Sequence, residues 1–221
     1  MSDRRILSAL AAAALVISMP QAVASFATFG STWAPGDITM TLQLAGGAGS
    51  RDGSASFNEV ASSALAVWNG YLARSRFIAV VAPPGRGGDG DFVNQVFFDS
   101  SYYGNAFGPD TLAITTRWTS NRTERVEADV VLNTAFTWDS YRGNVESRAG
   151  WDVRRILLHE FGHTLGLDHP DENGQRVNAL MNSLLGNLDT LTPDDIAGAQ
   201  SLYGRRAVPR AIIQAPERSS F

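Results

Sequence analysis

The sequence contains no cysteine and no lysine, and it has only three histidines. Without cysteine, the chain has no disulfide, no thiolate nucleophile, no thiolate ligand for a structural zinc ion and no cysteine that could carry a lipid anchor. All 18 basic residues are arginines, and 22 acidic residues outnumber them, which gives a net charge of −4. This mildly acidic balance, without a basic cluster, argues against nucleic acid or an anionic membrane as the partner.

The N-terminal apolar run is too short to cross a membrane. It extends from Ile6 to Met19, 14 residues, whereas a transmembrane helix needs about 20. Two arginines precede it and the small-residue triplet Ala22-Val23-Ala24 follows, a pattern typical of a signal peptide cleaved after Ala24. We therefore expect residues 1–24 to be removed, leaving a secreted or periplasmic protein of net charge −5 without a membrane anchor. A buried N-terminal helix is the alternative interpretation.

The remaining chain is long and apolar enough for one domain. The full sequence of 221 residues is 44% hydrophobic and 10% aromatic, which is ample for a core. We expect a domain over residues 25–204 and a polar, proline-containing tail over residues 205–221. Apolar periodicities of two and of 3.6 residues predict an α/β (α+β) fold. The predicted strands cover 38–44, 77–82, 95–99, 112–118 and 128–133; the predicted helices cover 57–77 (capped by Ser56 or Asn58), 151–165 and, after the cap Thr192, 193–203.

A short loop between two predicted strands is rich in glycine and aspartate. Residues 83–91 read Pro-Pro-Gly-Arg-Gly-Gly-Asp-Gly-Asp. Aspartate oxygens on a tight turn are suitable ligands for Ca²⁺. The same composition is also typical of a solvated loop, so a calcium site is one of two interpretations.

All three histidines fall within eleven residues. His159 and His163 are four residues apart, so on a helix they share one face, about 6 Å apart along the axis, and their imidazoles can bind one ion. A continuous helix would carry His169 about 15 Å beyond His159, too far to bind the same ion. The chain must therefore turn back, and Gly166 permits this because glycine adopts positive φ without steric cost. Satisfied core histidines are the structural alternative.

Three neutral nitrogen ligands and an open fourth position describe a catalytic zinc site rather than a structural one. Asp168 or Asp171 could supply a fourth ligand. Glu160 follows the first ligand, where its carboxylate can reach a water that the metal activates and accept its proton. The pattern therefore predicts zinc-dependent hydrolysis without a covalent intermediate.

At these residues the sequence resembles the metzincin metallopeptidases, and within them the matrixin (matrix-metalloproteinase-like) family. The segment from His159 to His169 matches the metzincin motif at every defined position. Residues 179–182 (Ala-Leu-Met-Asn) are similar to the methionine turn, and residues 191–204 are similar to the C-terminal helix of matrixin catalytic domains. The resemblance spans residues 33–204. It implies a zincin-like domain with a twisted mixed five-stranded sheet, an active-site helix and a C-terminal helix, in which Met181 packs beneath the metal.

The resemblance also implies how substrate binds. Leu112, Ala113, Ile114 and Thr115 resemble the edge strand that pairs with an extended substrate. Vertebrate matrixins are held latent by a propeptide cysteine and bind a second, structural zinc through further histidines. This chain has no cysteine and no histidine beyond the three of the motif, so we expect one zinc ion and no cysteine switch.

The function expected from the sequence is that of an exported, monomeric zinc endopeptidase acting on proteins or peptides. Two other classes remain open. The first is a metal-binding adhesion or inhibitor-binding module that kept the histidines without catalysis, although such a module has no need of Glu160. The second is a zinc hydrolase acting on a non-peptide bond, such as an amide in a cell-wall polymer.

Overall fold

The computed structural model describes residues 25–206, so the predicted signal segment and residues 207–221 of the predicted tail lie outside it. No helix in this part of the chain is long and apolar enough to cross a bilayer. The elements in chain order are β1 (Ala27–Thr28), β2 (Gly36–Leu42), α1 (Phe57–Asn69), β3 (Ser75–Val81), β4 (Gln95–Asp99), β5 (Ser101–Tyr102), β6 (Asn105–Ala106), β7 (Ala113–Thr119), β8 (Arg125–Asn133), β9 (Trp138–Asp139), a 3₁₀ turn (Ser147–Ala149), β10 (Trp151–Asp152), α2 (Val153–Leu165), β11 (Leu167–Asp168) and α3 (Pro193–Tyr203).

Five of the strands form a mixed sheet in the order β3-β2-β4-β8-β7. The first four run parallel, and β7 runs antiparallel to β8 at one edge. The inner face of the sheet contributes Val130 and Leu132 to a core that also contains Trp68 of α1 and Phe161 of α2. The predicted α/β fold with a mixed five-stranded sheet is confirmed.

Helix α1 is shorter than the periodicity predicted. Ser56 caps its start by accepting a hydrogen bond from the Glu59 backbone N–H at 3.2 Å. The predicted end at residue 77 is wrong, because the helix ends at Asn69 and its side chain pairs with the backbone of Phe77 through bonds of 2.9 and 2.7 Å. These two bonds hold the turn that leads into β3. The apolar residues after Gly70 therefore reach the core from this turn and from β3 rather than from a helix.

Helix α2 begins two residues later than predicted, because Asp152 accepts a hydrogen bond from the Arg154 N–H at 3.1 Å and acts as its N-cap. At its other end, carbonyl groups that have no partner within the helix bind side chains from distant parts of the chain. The donors are Arg125, which bonds the carbonyls of residues 163 and 164; Trp33, which bonds that of 164; and Tyr203, which bonds that of 165. The helix is thereby fixed against β8 and α3.

The outer face of the sheet buries two acidic side chains beneath the loop before β4 and the β5–β6 hairpin. Glu127 accepts hydrogen bonds from the backbone N–H groups of Gly90 (3.0 Å) and Phe92 (2.5 Å). A register shift in the β7–β8 pairing between Trp118 and Thr119 lies next to Glu127. Such an irregularity turns the strand between Arg125, which points to α2, and Glu127, which points outward.

Asp129, two residues further along β8, joins the same face to the hairpin. It accepts hydrogen bonds from the Gln95 backbone N–H (2.7 Å) and from the Tyr103 hydroxyl (2.5 Å). Burial raises the pKa of Asp129 from 3.8 to about 7, partly offset by these two bonds. Because these donors all come from within the fold, Glu127 and Asp129 form a structural network.

Candidate metal centre

The three histidines converge at the C-terminal half of α2 and the segment after β11. The Nε2 atom of His169 lies 3.2 Å from that of His159 and 3.0 Å from that of His163. Two zinc–nitrogen bonds of about 2.0–2.1 Å at a tetrahedral angle place the nitrogens about 3.3 Å apart. The arrangement therefore fits a zinc ion bound by the three residues that the motif predicted.

The outer nitrogen of each ring faces an oxygen atom. The Nδ1 atoms of His159, His163 and His169 lie 2.9, 2.9 and 2.8 Å from the Leu180 carbonyl, the Leu167 carbonyl and the Glu172 carboxylate. Because these oxygens accept, each Nδ1 carries the hydrogen and each Nε2 is left with a lone pair. Burial, and then the neighbouring His159, hold the pKa of His163 well below its ordinary value. With Nδ1 donating to these oxygens, each Nε2 can offer its lone pair to one shared cation.

The turn that brings the third ligand back occurs at Gly166. Its φ is 113°, and its N–H bonds the carbonyls of Gly162 and His163. A Cβ at this position would lie 2.7 Å from the Ser31 carbonyl oxygen, so glycine is required for space as well as for conformation. The short β11 that follows pairs with β1 and directs His169 toward the other two rings.

The two aspartates that could have closed the site are engaged elsewhere. Asp168 accepts hydrogen bonds from the backbone of His169 (2.8 Å) and the side chain of Asn173 (3.0 Å). Asp171 accepts both the N–H and the hydroxyl of Ser183. Within residues 25–206, no His, Asp or Glu side chain joins the three histidines as a fourth ligand, which leaves the open position that a catalytic site requires.

Met181 lies buried under α2, where the predicted methionine turn should place it. A Cβ on Gly162 would come within 2.2 Å of its Sδ, so the glycine between the two helical ligands makes room for this methionine. Asp195 of α3 accepts the N–H groups of Leu180 (3.0 Å) and Met181 (3.1 Å). Since the Leu180 carbonyl faces His159, this chain of contacts links the C-terminal helix to the first metal ligand.

Glu160 is buried, with 6% of its surface exposed. Its carboxylate Oε2 accepts a hydrogen bond from the Thr115 hydroxyl at 2.6 Å. Thr115 lies on β7, which has β8 on one side and no further strand of the described sheet on the other. The candidate general base is therefore in direct contact with the edge strand.

The backbone of β7 alternates between β8 and the open edge. The Asn133 N–H bonds the Leu112 carbonyl at 2.9 Å, and Ile114 lies opposite Val131. In an antiparallel ladder the hydrogen-bonded residues alternate. Of the four predicted substrate-binding residues, Leu112 and Ile114 therefore turn their backbone groups toward β8. Ala113 and Thr115 turn theirs to the open edge.

Residues 83–91 form no cluster of three or more acidic side chains that could bind a calcium ion. Asp91 accepts hydrogen bonds from Gln95 Nε2 (3.1 Å) and from the Val93 N–H (2.9 Å). Among residues 25–206, the group of three or more His, Asp or Glu side chains close enough to share one ion consists of the three histidines. A calcium site here stays a prediction.

Comparison with known proteins identifies the family. The sequence model of the matrixins, peptidase family M10, matches residues 33–204. This chain belongs to the matrixin family. Membership of that family implies a zinc-dependent endopeptidase, with which the geometry of the three histidines agrees.

Mammalian matrixins align with parts of the chain. It is 46% identical to matrilysin of Mus musculus over 71 residues, which are 32% of this chain and 26% of that protein. It is 41% identical to matrix metalloproteinase-19 of Mus musculus over 61 residues (26% and 11%) and 35% identical to interstitial collagenase of Equus caballus over 97 residues (42% and 19%). The aligned segments span about a quarter or less of each relative.

Three polar contacts of this matrixin site escaped the sequence analysis. Glu172 orients His169, Asp195 holds the methionine turn, and the Thr115 hydroxyl binds Glu160. Glu172 could have been found, because an acid three residues after a histidine lies close enough on a turn to bind it. Asp195 and Thr115 lie 14 or more residues from the groups they contact, and no local spacing indicates such pairs.

Proposed function

We propose that this matrixin is an exported endopeptidase that cleaves peptide bonds within protein substrates. One zinc ion would be held by His159, His163 and His169, and Glu160 would act as general base. The observation that carries the proposal is the position of Glu160, which follows a ligand on α2 and at the same time contacts the edge strand. A site that only binds metal needs no buried carboxylate there.

The zinc ion and the protein have different roles in the proposed reaction. When bound, zinc supplies Lewis acidity, which polarises the scissile carbonyl and lowers the pKa of a water in the open position. Glu160 accepts the proton of the attacking water and later delivers it to the leaving amine. The substrate lies extended beside β7 and bonds the outward backbone groups of Ala113 and Thr115, as an added strand would.

The decisive test compares the purified chain with its Glu160→Gln variant. We expect about one zinc per chain in both, and a fall in kcat/KM of about 10²–10⁴-fold in the variant, because the proton acceptor is lost while the ligands remain. Metal content and cleavage of casein and of a quenched peptide library are measured on the same preparations. Glu146→Gln, an exposed acid bound to Arg51, is the control. An unchanged rate in Glu160→Gln would exclude the assigned role.

The two alternative classes give different results in the same experiment. A binding module holds zinc and cleaves no peptide in the library. A hydrolase for non-peptide bonds also leaves the library intact but releases fragments from a polymer with amide cross-links. Contact between Glu160 and an edge strand favours the peptidase, since a strand edge recognises an extended peptide backbone.

Export is tested by expressing the full chain in a bacterial host. We expect the protein in the periplasm or medium to begin at Ser25, with the mass of residues 25–221. Retention in the cytoplasm with Met1 intact would contradict the signal-peptide interpretation.

A further inference from the structure

The contact between Thr115 and Glu160 joins the two functional parts of the site. The Thr115 Oγ1 atom lies 2.6 Å from Oε2 of Glu160 and 3.2 Å from its backbone carbonyl. A carboxylate can only accept, so the hydroxyl donates its hydrogen to Oε2, and the short distance is typical of a charge-assisted bond. Within residues 25–206, this is the hydrogen bond that the Glu160 carboxylate receives.

The backbone groups and the side chain of Thr115 face different parts of the site. Its backbone groups face the open edge of β7, where a substrate strand would pair. Its side chain lies on the α2 side of the sheet, together with Arg117, whose guanidinium lies 3.6 Å from the centre of the Phe29 ring. The next residue, Thr116, points to the opposite face.

We propose that Thr115 is a positioning residue for the general base. Its hydroxyl occupies Oε2 and leaves Oε1 of Glu160 to accept the proton of the attacking water. The terminal torsion of a glutamate is broad, so without this bond the carboxylate samples orientations that do not face the water. Because the same residue pairs with the substrate backbone, seating a peptide on the edge strand also fixes the orientation of the base. This inference rests on the proposed peptidase function.

The test uses three variants of the full chain. Thr115→Val removes the hydroxyl but keeps the shape, Thr115→Ser restores the hydroxyl, and Thr116→Val is the matched control on the opposite face. We expect Thr115→Val to lower kcat about 10- to 100-fold with KM changed less than about twofold. Thr115→Ser should recover kcat to within about threefold of the wild type. All variants should keep about one zinc per chain, and Thr116→Val should keep the wild-type kcat.

A second measurement is independent of turnover. In the metal-free protein, Thr115→Val should lower the unfolding midpoint by about 2–4 °C, because a charge-assisted bond is lost. In a Glu160→Ala background the same change should have a clearly smaller effect, since the carboxylate is gone and only the backbone carbonyl of residue 160, 3.2 Å away, remains as an acceptor. Equal shifts in both backgrounds would overturn the assigned bond.

The outcomes separate this inference from the proposed function. If the wild type cleaves peptide and Glu160→Gln does not, yet Thr115→Val retains the wild-type kcat, the positioning role is excluded while the peptidase stands. A rise in KM alone, or a loss of zinc, would also overturn it, because either result assigns Thr115 to substrate binding or to structure. If the wild type cleaves no peptide at all, the proposed function fails and the catalytic role of Thr115 fails with it.

Discussion

The five-stranded sheet separates two polar clusters whose side chains are paired in different ways. On the outer face, the carboxylates of Glu127 and Asp129 accept hydrogen bonds from backbone N–H groups and from a tyrosine. On the inner face, three imidazoles turn their outer nitrogens to oxygen atoms and direct their inner nitrogens at one another. The outer acids are buried, whereas His159 and His169 stay partly exposed, and the inner nitrogens of the three rings converge where one ion could bind.

The difference shows how a structural polar group can be told from a functional one. A buried polar group costs free energy unless it is paired. The outer acids are paired by the loop and hairpin that they hold in place, which accounts for their burial. The histidines instead bring their inner nitrogens together within reach of one cation, which is the arrangement expected of metal ligands. Changes in the two clusters should therefore affect different properties.

The largest expected effect is the loss of a ligand from the inner cluster. His163→Ala should weaken zinc binding by at least about a thousandfold, equivalent to about 4 kcal/mol, and abolish hydrolysis. Competition with a chromophoric chelator measures the affinity, and circular dichroism checks that the chain remains folded. Retention of zinc at wild-type affinity would contradict the assigned ligand set.

Loss of an outer acid should instead reduce stability. Glu127→Ala leaves the N–H groups of Gly90 and Phe92 without an acceptor, so we expect a loss of about 2–4 kcal/mol in the free energy of unfolding. Glu124→Ala, the exposed acid just before the same strand, should cost less than about 0.5 kcal/mol. Denaturant titration measures both, and zinc affinity should stay unchanged. If Glu127→Ala lost zinc with no loss of stability, the proposed division between the clusters would be wrong.

The second outer acid should make stability depend on pH. Because its folded-state pKa is raised from 3.8 to about 7, the folded protein binds more protons than the unfolded chain between about pH 4 and 7. The stabilising contribution of Asp129 is thus present below pH 4 and lost as pH rises to 7. Asp129→Asn does not titrate, so relative to the wild type it should gain up to about 4 kcal/mol between pH 4 and pH 8. Parallel stability curves for the two proteins would argue against the raised pKa.

The smallest expected effect belongs to the exposed partner of the third ligand. Glu172 binds His169 Nδ1 at 2.8 Å, but its side chain is 62% exposed. Glu172→Gln keeps an acceptor and loses the charge, so zinc affinity should fall only about three- to tenfold. The same chelator competition measures this change, with Glu146→Gln as the control. A loss as large as that of His163→Ala would mean that Glu172 is itself a ligand.

Much of the fold followed from local rules. The start of α1 at Ser56, the start of α3 after Thr192 and the end of α2 at Gly166 follow from capping and from the conformational freedom of glycine. The predicted end of α1 failed because apolar periodicity continued after Asn69. The chain there is turned by the Asn69 side chain, which finds its partner only once β3 is in place.

The candidate site shows the same limit. Spacing alone indicated the three ligands and Glu160, because the spacing of two helical residues and a returning third fixes which side chains can meet. Spacing could not indicate that Thr115 donates to Glu160, since the two residues are 45 positions apart. Nor could it indicate that β8 turns between Arg125 and Glu127, because both residues read as part of one strand.

The sequence by itself therefore indicated the candidate ligands, the candidate base, the turn at Gly166 and the class of fold, since each follows from patterns among residues close together in the chain. The tertiary structure decided which oxygen atoms orient the imidazoles, which strand residues face the open edge and which buried acids are closed off from ligands. Those features depend on pairs of residues that are far apart in the chain. Their contact distances are set by how the sheet, the loops and the helices pack together, and no local pattern encodes that packing.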